Sequence, residues 1–247
     1  MFSDSHCHMD GFESEQQLME VLERAAASNL DIILTTGMSL ESSEEAIRLA
    51  RTHRVVLAAV GIHPWNAVAP TDELCRRLEE LAITESVVAM GEIGLDYARS
   101  PQTATEQREL LKYELSLAHE KGLPVNLHCR EAHADMMGLL RREVGSGLTG
   151  NIHGFSGDSD MLKDWLEIGF YVAIGRAVLG DMPELEEAVT RIPSDRLLTE
   201  TDATPRGQSA GPAEVVAVAE KVAALRGVTT EEIGRTATAN LKRLLRL

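Results

Sequence analysis

The stretch Val55-Val56-Leu57-Ala58-Ala59-Val60-Gly61-Ile62-His63 opens with six apolar residues, shows no polar alternation and ends on a histidine. A strand without alternation is covered on both faces, as strands are in a parallel sheet flanked by helices. The same pattern recurs along the chain. Apolar runs fall at residues 2–6, 31–37, 55–61, 86–92, 123–128, 150–153, 170–175 and 196–201. Helical patterns lie between them at 14–29, 41–53, 71–84, 104–121, 132–144, 158–168 and 181–192, and two more follow at 213–226 and 229–246. Eight strands alternating with helices predict an α/β fold, a (β/α)8 TIM barrel. The 247 residues suit one barrel and contain no linker or low-complexity tract, so a single domain over 1–247 is expected. Thr229-Thr230-Glu231-Glu232 predicts a capping box at the start of the last helix.

A content of 44% hydrophobic and 26% charged residues allows a large core. The longest apolar run is too short to span a bilayer, so no membrane partner is expected. Met1-Phe2-Ser3-Asp4-Ser5-His6 lacks the basic flank and apolar stretch of a secretion leader, and the cytoplasm is the expected compartment. Cys7, Cys75 and Cys129 are odd in number and show no paired spacing, so no disulfide framework is implied. Cys7 and Cys129 adjoin histidines on strands, where neighbours point to opposite faces; both thiols are expected to pack away from any ligand set. The net charge of −15 argues against a generic polyanion binder with basic stripes. A phosphate substrate stays compatible with it, because bound divalent cations would dominate the electrostatics of their own site.

The strand ends carry metal-binding side chains. His6 and His8 close the first strand, Glu92 the fourth, His128 the fifth, His153 the sixth and Asp202 the eighth. A barrel gathers its strand ends into one ring, which makes these scattered residues neighbours at the mouth. His6 and His8 are two apart on a strand, so their rings leave one face about 6–7 Å apart and can reach one cation. Asp4 shares that face and is expected to orient a ligand imidazole from behind. Glu92 directly follows Val87-Val88-Ala89-Met90-Gly91; an unpaired carboxylate there would be costly to bury, and bridging two metals removes the cost. A lone histidine after an apolar strand is more often a hydrogen-bonded core residue, but His128 and His153 occupy the same end of consecutive units. Asp202 can ligate a metal and accept the proton of an attacking water. Glu200 shares its parity and is expected behind the ligands. His63 suits the scissile phosphate or the leaving group, with a core histidine as the alternative. Arg99, Arg130, Arg176 and Arg206 follow strands or lie in loops at this mouth, and Arg130 is the one expected to bind phosphate through its planar fork. His53, His119 and His133 fall on helical stretches and are assigned no chemistry.

Taken together these residues resemble the TatD family of metal-dependent deoxyribonucleases, within the amidohydrolase-like barrels. The motifs are Asp4-Ser5-His6-Cys7-His8-Met9-Asp10, Gly61-Ile62-His63-Pro64, Gly91-Glu92-Ile93-Gly94-Leu95-Asp96-Tyr97, Leu127-His128-Cys129-Arg130-Glu131-Ala132, His153-Gly154-Phe155-Ser156-Gly157 and Thr199-Glu200-Thr201-Asp202. They follow the family order over essentially the whole chain. The resemblance implies that His6, His8 and Asp202 hold one metal, that His128 and His153 hold the second, and that Glu92 bridges them. It also implies that His63 works on the substrate phosphate. The stretches after Tyr97 and after Asp202 are shorter than usual in the family; the second keeps only Arg206, Gly207 and Pro212 of its pattern.

The expected function is therefore hydrolysis of phosphodiesters in DNA ends or single strands, as a 3′–5′ exonuclease, with two divalent ions per chain. The mixed nitrogen and oxygen donors suit zinc, manganese, iron or cobalt, and magnesium less comfortably. A metal-dependent ester or amide hydrolase, such as an aminoacyl-ester deacylase, is the alternative, because an activated water attacks carbonyls equally well. A non-catalytic binding subunit would be signalled by missing ligand residues, and none is missing.

Overall fold

The computed structural model describes residues 1–144, 147–205 and 211–247, with no account of the side chains of 143 and 144. Its strands are β1 (Phe2–Cys7), β2 (Leu30–Thr36), β3 (Val56–Val60), β4 (Val87–Asp96), β5 (Val125–Arg130), β6 (Gly150–Ile152), β7 (Tyr171–Ile174) and β8 (Leu197–Thr199). Its helices are α1 (Glu15–Ala27), α2 (Leu40–Thr52), α3 (Asp72–Ala82), α4 (Ala104–Lys121), α5 (His133–Val144), α6 (Ser159–Glu167), α7 (Pro183–Arg191), α8 (Val215–Arg226) and α9 (Thr230–Leu245). The strands form one eight-stranded sheet in chain order, β1 to β8, and the fold is the expected (β/α)8 barrel. Among the described residues, no helix is long and apolar enough to cross a membrane.

The chain divides into two compact units. One comprises Met1–Thr35, His153–Glu167 and Tyr171–Leu247. Within it β1 pairs in parallel with β2 and β7 with β8. The segment after β8 is bonded to the end of β1: Asp202 N–H donates to His6 O at 3.0 Å, and His8 N–H to Ala203 O at 2.8 Å. Between Asp4 and Cys7 the register slips, with Asp4 opposite Ile33 but Cys7 opposite Thr35. One extra residue in β1 makes a bulge, and His6 lies inside it. Ser14 caps α1 by accepting from Gln17 N–H, and Thr229 caps α9 by accepting from Glu232 N–H. The Thr229 side chain supplies the forward half of the expected capping box. Lys242, in the last turn of α9, pairs with Asp31 at 2.6 Å.

The other unit, Thr36–Ile152 with Ile168–Phe170, holds β3 to β6 in successive parallel pairs. Its α2 begins with a complete capping box between Ser39 and Ser42. Here the expectation that the fourth strand ends at residue 92 is corrected. β4 continues to Asp96, because Ile93, Gly94, Leu95 and Asp96 pair with Leu127, His128, Cys129 and Arg130. Met90 faces Val125 while Ile93 faces Leu127, so β4 too carries one extra residue, and Glu92 lies in that bulge. Gly94 is required by position as well as conformation: its φ is 151°, and a Cβ there would lie 2.0 Å from the backbone oxygen of His128.

Candidate metal centre

In the first unit the β1 bulge presents His6 and, two residues on, His8. Their Nε2 atoms lie 3.4 Å apart, and Asp202 Oδ1 is 3.6 Å from the first and 3.4 Å from the second. His6 and His8 are buried, whereas the Asp202 side chain is 55% exposed, which leaves its carboxylate open to solvent and substrate. Asp202 sits past the end of β8 with φ 52°, a left-handed conformation that aspartate tolerates better than most residues. Its loop is pinned from below by Asp4. One carboxylate oxygen of Asp4 accepts from the backbone N–H groups of His6 and Thr201, and the other accepts from the Thr201 hydroxyl. Burial pushes the Asp4 carboxyl well above its ordinary range against those hydrogen bonds. The expected role of Asp4 behind an imidazole is thus corrected. Its acceptors are spent on backbone and hydroxyl, and it fixes the loops rather than a ring.

His153 follows β6 and stacks on His6 with ring centroids 3.8 Å apart. Glu200 Oε1 lies 3.3 Å from His153 Nδ1 and accepts from Gly154 N–H at 2.6 Å. The carboxylate thus orients the His153 ring through Nδ1, as a carboxylate behind a metal-ligating imidazole does. Glu200 Oε2 is buried and lacks a hydrogen-bond partner, an arrangement that a buried carboxylate rarely sustains without a ligand. His6, His8 and Asp202, and likewise His6, His153 and Glu200, offer ligand atoms all within 4.8 Å of one another. The donor set fits a divalent transition metal.

In the second unit Glu92 is the centre. Its Oε1 is 2.8 Å from His128 Nδ1 and 3.3 Å from His63 Nε2, and only 2% of Glu92 is exposed. The opposite nitrogen of His128, Nε2, is 3.2 Å from Asp96 Oδ2. That oxygen also accepts from the Trp65 indole N–H at 2.7 Å, and Asp96 Oδ1 accepts from Arg99 N–H at 2.8 Å. Burial pushes the Asp96 carboxyl up, but the bonds from His128, Arg99 and Trp65 outweigh it and hold it well below the usual carboxylate range. Asp96 is therefore a fixed anion behind His128, and a role for it was not foreseen from sequence. What the sequence offers is its place in Gly91-Glu92-Ile93-Gly94-Leu95-Asp96-Tyr97, four residues after Glu92.

His63 differs from the other imidazoles. Its Nδ1 accepts a hydrogen bond from Trp65 N–H at 3.1 Å, so the neutral ring carries its proton on Nε2, facing Glu92. Glu114, buried on α4, accepts from Ile62 N–H at 2.8 Å and steadies this turn. His63, Glu92 and His128 form a third cluster of ligand type.

Among the arginines, Arg130 ends β5 with an exposed side chain, Arg99 stacks on Trp65, and Arg176 pairs with Glu214 at 3.2 Å. Arg206 lies outside the described residues. The Cys7 thiol faces Leu34 O at 3.7 Å, and burial pushes the Cys129 thiol up to about 12; neither is poised as a thiolate ligand.

Known proteins resemble this chain in sequence and fold. The chain is 34% identical to the uncharacterized metal-dependent hydrolase YabD of Bacillus subtilis (strain 168), over 100% of both chains. It is 34% identical to the 3′-5′ ssDNA/RNA exonuclease TatD of Dickeya dadantii (strain 3937), over 95% of this chain and 93% of that one. Among solved structures, the TatD homolog YJJV of Escherichia coli K12 superposes with a TM-score of 0.89 at 27% identity, covering 100% of this chain and 98% of that one. The family model described as TatD related DNase matches residues 3–246, and the chain belongs to that family.

Proposed function

We propose that this protein, acting as a single barrel domain, is a divalent-metal-dependent phosphodiesterase that removes nucleotides from DNA ends or single strands in the 3′–5′ direction. His6, His8 and Asp202 would hold one cation, His128 and His153 a second, and Glu92 would bridge the pair. His6, Glu92 and His128 lie in the C-terminal halves of their strands, and His8, His153 and Asp202 follow the C-terminal ends of theirs, on the side where barrels of this kind carry their chemistry. Bound cations would lower the pKa of a water towards neutrality and polarise phosphoryl oxygens.

The remaining work falls to the protein's own groups. Asp202, buried at its backbone bonds but open at its carboxylate, accepts the proton of the attacking water. His63, with its proton on Nε2, donates to the phosphate or to the leaving oxygen. Arg130 offers an exposed guanidinium to a phosphate oxygen. The observation that carries the reading is the pair of carboxylates behind imidazoles, Asp96 on His128 and Glu200 on His153. Asp96 lies 3.2 Å from one ring nitrogen of His128 and turns the other towards Glu92, and Glu200 lies 3.3 Å from one ring nitrogen of His153; carboxylates in these positions orient metal-ligating imidazoles. The test is substrate profiling of the purified protein on 5′-labelled single-stranded DNA and on aminoacyl esters. A ladder shortening from the 3′ end supports the proposal, and release of acyl groups without nucleotides refutes it.

A further inference from the structure

We infer that the Trp65 indole, backed by Arg99, is a platform on which the base of the nucleotide being removed stacks. The inference rests on the phosphodiesterase reading and names the part of the substrate that the second unit recognises. Trp65 sits in the turn Pro64–Asn66, directly after His63. It is 37% exposed, while Trp165, the other tryptophan of the chain, is 2% exposed and part of the core. The indole N–H is already satisfied by Asp96, so the exposed part of the side chain is ring carbon.

The ring is also held. Its Nε1 is fixed by Asp96, its backbone N–H by His63, and the Arg99 guanidinium lies 3.9 Å from its centroid. Among the described residues, no carboxylate pairs with that guanidinium. Its donors remain available to a phosphate oxygen of the same strand while its plane rests on the indole. The ring centroid is 4.5 Å from that of His63 and 6.3 Å from that of His128. A phosphate engaged by His63 therefore places its own nucleotide's base, one sugar away, within reach of the indole. Stacking on an aromatic ring tolerates every base, as a nuclease without sequence preference needs. It also demands a base with a free face, which an unpaired strand end has and a base inside a duplex lacks.

Two measurements test the platform. In the first, intrinsic tryptophan fluorescence of the protein as purified is titrated with deoxyadenosine monophosphate and with deoxyribose 5-phosphate. Quenching by the nucleotide, none by the sugar phosphate, and loss of the quench in Trp65→Leu are expected; no quench by the nucleotide overturns the inference. In the second, kcat/KM is compared on single strands ending in a 3′ base or in an abasic residue. Trp65→Leu should lower the ratio of base-bearing to abasic kcat/KM by about 10- to 100-fold, mostly through KM, and Trp65→Phe should restore most of it. An unchanged ratio with equal losses on both strands would make Trp65 only a support for His63 and Asp96, and overturn the inference. If the wild-type protein cuts neither strand, the phosphodiesterase reading fails, and the fluorescence titration still decides whether the indole binds a base.

Discussion

The backbone N–H of Trp65 donates to Nδ1 of His63 and so places the proton of the neutral imidazole on Nε2. Residues that lie two apart thus separate His63 from the other histidines of the site. A ring whose two nitrogens are an occupied acceptor and a donor is suited to give a proton, and would have to break a hydrogen bond to ligate a cation. His63→Ala should therefore leave metal content unchanged while turnover falls by about 10²–10⁴-fold. Loss of metal from that variant would make His63 a ligand, and unchanged kinetics would make it a core histidine.

Glu92 meets two imidazoles with a single oxygen, 2.8 Å from His128 and 3.3 Å from His63, at the centre of the second unit's ligand cluster. Glu92→Ala should abolish activity and reduce the metal content to one ion or none, as read by elemental analysis of the dialysed variant. Two ions retained per chain would remove Glu92 from the bridging position.

Asp96 acts at one remove, through His128. Asp96→Asn keeps a hydrogen-bond acceptor but loses the negative charge that orients and polarises the imidazole. Metal affinity should weaken by about 10- to 100-fold, measured by competition with a chelator, while the unfolding transition stays cooperative. Affinity equal to wild type would make the Asp96–His128 contact incidental.

Glu114 gives a pH-dependent prediction. Burial raises its carboxyl well above the ordinary value, against a single backbone hydrogen bond from Ile62. The folded state therefore binds this proton more tightly than the unfolded chain, whose glutamate titrates at about 4.3. That contribution is full below about pH 4 and is lost as pH rises through the folded pKa. Glu114→Gln keeps the acceptor for Ile62 and removes the titration. Urea unfolding should show the variant gaining on wild type between pH 4 and pH 8; parallel curves would mean that Glu114 does not titrate in this range.

Gly94 tests the geometry beneath the site. With φ at 151° and His128 O at 2.0 Å from where a Cβ would stand, Gly94→Ala should destabilise the fold by about 1–3 kcal/mol and weaken metal retention with it. A variant with wild-type melting and metal content would show that this stretch of β4 can shift freely.

The sequence showed the strand ends well because period and residue type change together there: apolar runs stop, and a histidine or carboxylate follows. It showed less of what supports those residues. The bulges that hold His6 and Glu92 are single-residue slips against a neighbouring strand, and nothing in β1 or β4 alone marks them. Asp96 is not legible in the sequence, because the apolar run of β4 stops short of it and its partners Trp65 and His128 are each more than 30 residues away. Strand parity cannot reveal that Thr201 and the His6 backbone take up the oxygens of Asp4, because the bulge at His6 interrupts it.

Metal-by-metal reconstitution distinguishes a dinuclear, metal-dependent nuclease from every other reading of the site. The native protein is analysed for bound elements, stripped with a chelator, and assayed on 3′-ended single-stranded DNA as zinc, manganese, iron, cobalt or magnesium is returned. Two ions per chain are expected, with activity lost on stripping and restored in proportion to the second ion bound. Full nuclease activity in the stripped protein, or full activity with one ion per chain, would contradict the dinuclear reading.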